Sequence, residues 1–312
     1  MNFSAKIFYN FFFICLIACR ERSSLLATKE LSNYPSGSAV EYSDGHFFLI
    51  GDDATYVLLL DEKLEPVDTI QLYENNEARI PKATKPDLEA ATLIVQNDTT
   101  KLLLVGSGSV KPYRNTCWLI NEVTKEKKEI KLDTFYHRLT GSGIEDLNIE
   151  AAAATSKGII LVSRGNKAHP RNYIVFTSMD FWNDQTGAPI KISQTTAGTD
   201  TSFFNGISGI AYSTRHDRLW LTVSTENTYS SFTDGAIGKS YLWVIDSISS
   251  KTSMAEIRPG RIIDLDSLDG HFVGHKIESA CIITEKGAFT ELLLVSDNDD
   301  GRTGLYRLKV VL

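Results

Sequence analysis

The chain has 312 residues, 42% of them hydrophobic, which is enough to bury a sizeable core. Its formal charge is −7 and no basic cluster stands out, which argues against a nucleic-acid binder. Past residue 20 no apolar stretch reaches membrane-spanning length.

The first elements belong to targeting rather than to the fold. Asn2 and Lys6 precede "IFYNFFFICLIA", an apolar segment too short and too early for a stable span. It ends in Leu16-Ile17-Ala18-Cys19, which resembles the lipobox of bacterial lipoproteins. That resemblance implies a signal peptide over 1–18, an acylated Cys19 with a short tether over 19–23, and a membrane-anchored domain over 24–312. Arg20 rather than Asp follows the Cys, which under the lipoprotein rule favours the outer membrane. Cys117 and Cys281 are the cysteines left to the domain, and an exported protein could pair them or leave them free. No Cys or Cys/His spacing of the metal-binding kind is present.

From residue 35 onward the chain repeats one design. "PSGSAVEYSDGHFFLIGDD", "DLEAATLIVQNDTTKLLLVGSGS", "NIEAAAATSKGIILVSRGN", "GISGIAYSTRHDRLWLTVSTEN" and "KIESACIITEKGAFTELLLVSDND" each hold a strand opening on Ser or Glu, a polar turn, and a second apolar strand. A third strand follows each: "TYVLLLD", "NTCWLIN", "NYIVFTS", "SYLWVID" and "GLYRLKV". The anchors Ser36, Glu89, Glu150, Ser208 and Glu278 are separated by 53, 61, 58 and 70 residues. Units of that size with about four strands describe the blades of a β-propeller. "AAAA" at 151–154 favours a helix by itself, but small residues suit an inner strand crowded at the central axis, so the reading is all-β. The last unit stops at Leu312 after three strands, and "SSLLATKEL", residues 23–31, is expected to supply the fourth and close the ring. Five blades is the direct count; a sixth would have to lie between Ser208 and Glu278.

Innermost strands bring their first residues to one mouth of the channel. Three carboxylates sharing that volume cannot all ionise without a counter-charge. An oxygen-only set without Cys or His points to Ca²⁺ over Zn²⁺; the alternative is hydrogen bonding to backbone amides of neighbouring strands or through water. The cyclic order Ser, Glu, Glu, Ser, Glu at the heads of inner strands resembles the calcium-dependent apyrases, and "LEA", "IEA" and "IES" resemble the phytase-like propellers. That resemblance implies a central Ca²⁺ held by Ser36, Glu89, Glu150, Ser208 and Glu278, and a hydrolytic activity.

Loops leaving the second strands are polar, and sequence leaves open which mouth they rim. Asp52 and Asp53 come from the first, Ser107 to Ser109 from the second, and Thr225 and Glu226 from the fourth. The third is the basic loop "SRGNKAHPRN" with Arg164, Lys167, His169 and Arg171. Facing acidic loops, it would clamp a phosphorylated small molecule, with His169 as acid or base; alternatively it is a solvated hairpin loop. "DNDDG" at 297–301 lacks the distal Glu of an EF-hand and reads as a turn. No G-x-S-x-G marks a serine hydrolase, and "GSGSV" at 106–110 precedes no helix, so it is not a phosphate-binding loop. Two functions remain: a Ca²⁺-dependent hydrolase of a phosphorylated small molecule, with Asp52, Asp53, Arg164, Lys167 and His169 as its catalytic candidates, or a non-catalytic binding propeller with a structural metal. A monomer is expected, with the membrane reached through Cys19 and no nucleic-acid partner.

Overall fold

Runs rich in Leu, Ile and Val, punctuated by short turns, form antiparallel hairpins throughout the computed structural model, which describes residues 22–74, 79–196, 203–230, 235–297 and 301–312. The expected signal segment 1–18 and Cys19 lie outside the described residues.

Strand β1 (Ser24–Leu31) comes first. Blade one is β2 (Gly37–Ser43), β3 (His46–Gly51), β4 (Tyr56–Asp61) and β5 (Pro66–Gln71). Blade two is β6 (Leu88–Gln96), β7 (Thr99–Gly106), β8 (Thr116–Asn121) and β9 (Lys127–Lys131), followed by helix α1 (Asp133–Gly141). Blade three is β10 (Ile149–Thr155), β11 (Gly158–Ser163), β12 (Asn172–Thr177) and β13 (Lys191–Thr195). Blade four starts with β14 (Phe204–Ser213), β15 (Arg218–Glu226) and β16 (Ile237–Asp246). The chain then adds β17 (Glu256–Ile257) in parallel to β13 of blade three, and returns as β18 (Arg261–Asp264) to finish blade four. A short helix α2 (Leu265–Leu268) leads to blade five: β19 (Ile277–Lys286), β20 (Phe289–Asp297) and β21 (Thr303–Val311).

Strand β1 pairs antiparallel with β21, from Ser24 opposite Lys309 to Leu31 opposite Thr303, so the ring closes as expected and β21 is not left as a bare edge. The long interval between Ser208 and Glu278 is taken up by the β17 excursion and α2; the sheets number five. The helix α1 was not anticipated. Its Phe135, Tyr136 and Leu139 are buried between blades two and three, where tertiary packing secures a segment of modest helical preference.

The core is not one mass but a ring of seams, each filled from two neighbouring blades. Phe48, Val57, Leu102 and Trp118 fill the seam of blades one and two, whereas Leu49, Leu58, Leu293 and Leu305 fill that of five and one. Cys117 and Cys281 lie in different seams, both buried and free, so the disulfide alternative is not realised.

Candidate functional site

The same irregularity occurs in every inner strand. Pairing with the second strand skips one residue between Gly37 and Ala39, Leu88 and Ala90, Ile149 and Ala151, Ile207 and Gly209, and Ile277 and Ser279. The skipped residues are Ser38, Glu89, Glu150, Ser208 and Glu278. A β-bulge leaves its extra residue out of the ladder and re-aims its side chain. Four of these residues line a cavity of about 180 Å³ at the mouth of the channel, with Ser208 the exception. In blade one the register therefore puts Ser38 in the position expected for Ser36. Ser36 sits two residues earlier, with φ of 51°, in line with Asp87, Asn148, Gly206 and Lys276 of the other blades.

The second strands end at this same mouth. The backbone N–H of Asp52 donates to Ser36 O at 3.1 Å, that of Ser107 to Asp87 O at 2.9 Å, that of Arg164 to Asn148 O at 2.8 Å, and that of Asp297 to Lys276 O at 3.2 Å. Both loop sets are thus one site. Its described lining carries eight carboxylates (Asp52, Asp53, Asp87, Glu89, Glu150, Glu226, Glu278, Asp297) against six cations (Arg79, Lys82, Lys85, Arg114, Arg164, Lys276), and no aromatic side chain.

Most of these charges meet inside the protein. Arg164 lies 2.8 Å from Glu226 and 3.7 Å from Glu150, which also accepts from Asn148 Nδ2 at 2.5 Å. Lys276 lies 2.8 Å from Glu278 and 3.7 Å from Glu226, whose Oε1 accepts from Gly235 N–H at 2.8 Å. Arg114 is 2.6 Å from Asp87, and Arg79 is 2.7 Å from Asp53 while donating to Ser36 Oγ at 2.8 Å. Lys85 contacts Asp52 and lies 2.8 Å from Asp87. The two bulge serines join blades instead: Ser38 Oγ donates to Leu88 O at 2.6 Å, and Ser208 Oγ to Ile277 O at 2.8 Å.

Glu89 differs from the rest. It is half-buried and makes no side-chain hydrogen bond or ion pair among the described residues, and one of its oxygens lies within 4.8 Å of an oxygen of Asp52 and one of Asp87. Burial first, then the negative charges of Asp87, Asp52 and Glu150, drive its carboxyl well above the usual range. Burial likewise takes Glu150 to about 7 against the opposing pull of Arg164, and Asp52 to about 6 against that of Lys85. Burial would also raise Asp87, but Lys85 and Arg114 outweigh it and hold the group below its ordinary value. The Lys85 charge opposes the rise at Glu89 only in part, and a half-buried carboxylate with no hydrogen-bond or ion-pair partner among the described residues is disposed to take a proton or a cation.

Of the five residues expected to be catalytic, Asp52, Asp53 and Arg164 line the cavity and Lys167 and His169 do not. His169 Nδ1 pairs with Glu145 at 2.8 Å on the exposed rim, and Lys167 Nζ rests 5.5 Å above the Tyr229 ring. Sequence reading missed Lys85, Asp87, Arg114, Asn148 and Lys276. A signal for three of them existed: Asp87, Asn148 and Lys276 each precede a bulge Glu by two residues.

The chain belongs to a family of unknown function (DUF6929), whose model matches residues 33–310. No curated protein matches it. Among solved structures it is similar to a glutaminyl cyclase of Myxococcus xanthus, at 10% identity and TM-score 0.50, over 93% of this chain and 97% of that one. It is also similar to the tail fiber of Staphylococcus aureus phage P68, at 11% identity and TM-score 0.49, over 93% of this chain and 53% of that one. A DUF4623 family protein from Bacteroides eggerthii has 13% identity and TM-score 0.41, over 93% of this chain and 77% of that one. At 10% identity the likeness to the Myxococcus xanthus structure carries the fold and not an activity.

Proposed function

We propose that the mouth of this propeller is a divalent-cation site, with Asp52, Asp87 and Glu89 as the protein ligands, and that the protein acts as a binding module organised around that ion. The observation that carries the reading is Glu89, a cavity-lining carboxylate without a hydrogen-bond or ion-pair partner among the described residues, beside two others. Oxygen-only ligands and room for waters favour Ca²⁺ among common cations. Glu150 and Glu278 stand second to this set, since Arg164 and Lys276 already neutralise them. The serines contribute cohesion between blades, because their hydroxyl protons are committed to carbonyls.

Calorimetric titration with calcium tests the reading. Binding by the wild-type chain, lost or weakened at least tenfold in a folded Glu89→Gln variant, is the expected result; no binding by the wild type would sink it.

A second reading, Ca²⁺-dependent hydrolysis of a phosphorylated small molecule, draws support from Arg164, which lines the mouth 3.7 Å from Glu150. Two observations weigh against it. The described lining offers no aromatic platform for a nucleobase, and Arg164 and Lys276 are held by carboxylates rather than left for phosphate oxygens. Calcium-dependent phosphate release from nucleotides or phytate, absent with chelator, would restore this reading over the first. Presentation at the outer membrane through acylated Cys19, as a monomer, completes the proposal; a Cys19→Ser chain that still sediments with membranes would contradict that anchor.

A further inference from the structure

We propose that Lys85 is an internal counterion seated in the cation position of the mouth, so that a divalent ion binds only by displacing it. This inference rests on the cation reading above. The Lys85 ammonium contacts Asp52 Oδ2 and lies 2.8 Å from Asp87 Oδ1, and its side chain is only 12% exposed. These are two of the three carboxylates that would hold the ion.

An inventory of oxygens shows the conflict. Asp87 Oδ2 accepts from Arg114 Nη1 at 2.6 Å and from Ser107 Oγ at 2.5 Å, while Oδ1 is engaged by Lys85. Asp87 thus has no uncommitted oxygen while Lys85 is in place. Asp52 keeps Oδ1 without a partner, and Glu89 makes no hydrogen bond or ion pair among the described residues. A calcium ion takes about six to eight oxygens, so two carboxylates with waters make a poor site. Withdrawal of Lys85 frees Asp87 Oδ1 and Asp52 Oδ2 together and completes the three-residue set.

A second feature of the mouth is spare acceptor capacity. Asp53 and Glu278, only 5% and 6% exposed, line the same cavity, and although Arg79 and Lys276 pair with one oxygen of each, Asp53 Oδ1 and Glu278 Oε2 have no hydrogen-bond partner among the described residues. Lysine suits the displaceable role. Its charge rides on a flexible four-carbon stem and can leave by rotamer changes, whereas a guanidinium fork is fixed to its partners. The arrangement also selects by charge. A monovalent ion gains little by replacing an ammonium between two carboxylates, while a divalent ion doubles the Coulomb attraction.

Two measurements on the full chain decide the matter. Calorimetric calcium titration of the wild type and of Lys85→Met should give a Kd at least about tenfold tighter in the variant, because the internal competitor is gone. Equal or weaker binding by a folded Lys85→Met would overturn the role of Lys85 and leave the cation reading intact, provided the wild type binds. Absence of calcium binding in both proteins would overturn the cation reading as well. Acetylation of the wild type, read by mass spectrometry, needs no variant to fold. Lys85 should be protected without calcium and modified faster with saturating calcium; protection unchanged by bound calcium would overturn the displacement.

Discussion

The guanidinium of Arg164 fills the space that a side chain at Gly206 would need: a Cβ on residue 206 would overlap Arg164 Nε. Gly206 occupies the blade-four position that Asp87, Asn148 and Lys276 occupy elsewhere in the ring. Blade four gives up its side chain here so that Arg164 of blade three can cross to Glu226 while staying 3.7 Å from Glu150 of its own blade. Gly206→Ala should therefore push Arg164 off its partners and cost about 1–3 kcal/mol, the usual range for overpacking. Chemical denaturation would show it, and an unchanged midpoint would mean that the guanidinium has room to give.

Arg164 itself can be apportioned. Removing one partner of a buried ion pair leaves an uncompensated charge at about 3–5 kcal/mol, whereas removing both often costs little. Arg164→Met is expected to destabilise on that scale, and Arg164→Met with Glu226→Gln to recover a good part. A double-mutant cycle in urea measures the coupling, and strict additivity would show that the pair does not act as a unit.

The bulge serines separate cohesion from ligation. Ser208→Ala leaves Ile277 O without its donor inside the protein and should cost about 1–3 kcal/mol. Because Ser208 lies outside the cavity lining, calcium affinity should not change. A weakened calcium titration with unaltered stability would make Ser208 a ligand after all.

The opposite mouth of the channel holds Glu41 among Thr92, Ala153, Ala154, Ala211 and Ile282. Burial raises this carboxyl to about 8 from an ordinary value near 4.5. The native state then binds more protons than the unfolded chain between those two values, so stability falls as pH rises through that window and levels off above about 8. Glu41→Gln should match the wild type near the lower limit and exceed it in Tm by several degrees at alkaline pH. Parallel Tm curves for the two proteins across the window would contradict the shift.

Much of this architecture was written in the chain. Alternation, polar turns and five recurrences of one strand pattern specify hairpins that must bury both faces against neighbours, and a missing final strand specifies that another segment closes the ring. Glu89, Glu150 and Glu278 could be read as site residues because a carboxylate at the head of an inner strand recurs in register. What the sequence could not convey was anything set by an offset of two residues or by contact across blades. Ser36 and Ser38 are both plausible heads of their strand, and only the bulge register distinguishes them. Lys85 and Arg114 lie outside any local motif and become counterions only when the ring curls them over the mouth. His169 and Lys167 share the Arg164 loop yet turn to the rim, because loop neighbours need not share a direction. Periodicity is a local property of a strand and survives in one dimension. The pairing of charges depends on through-space distances of a few ångströms, which the closing of the ring creates.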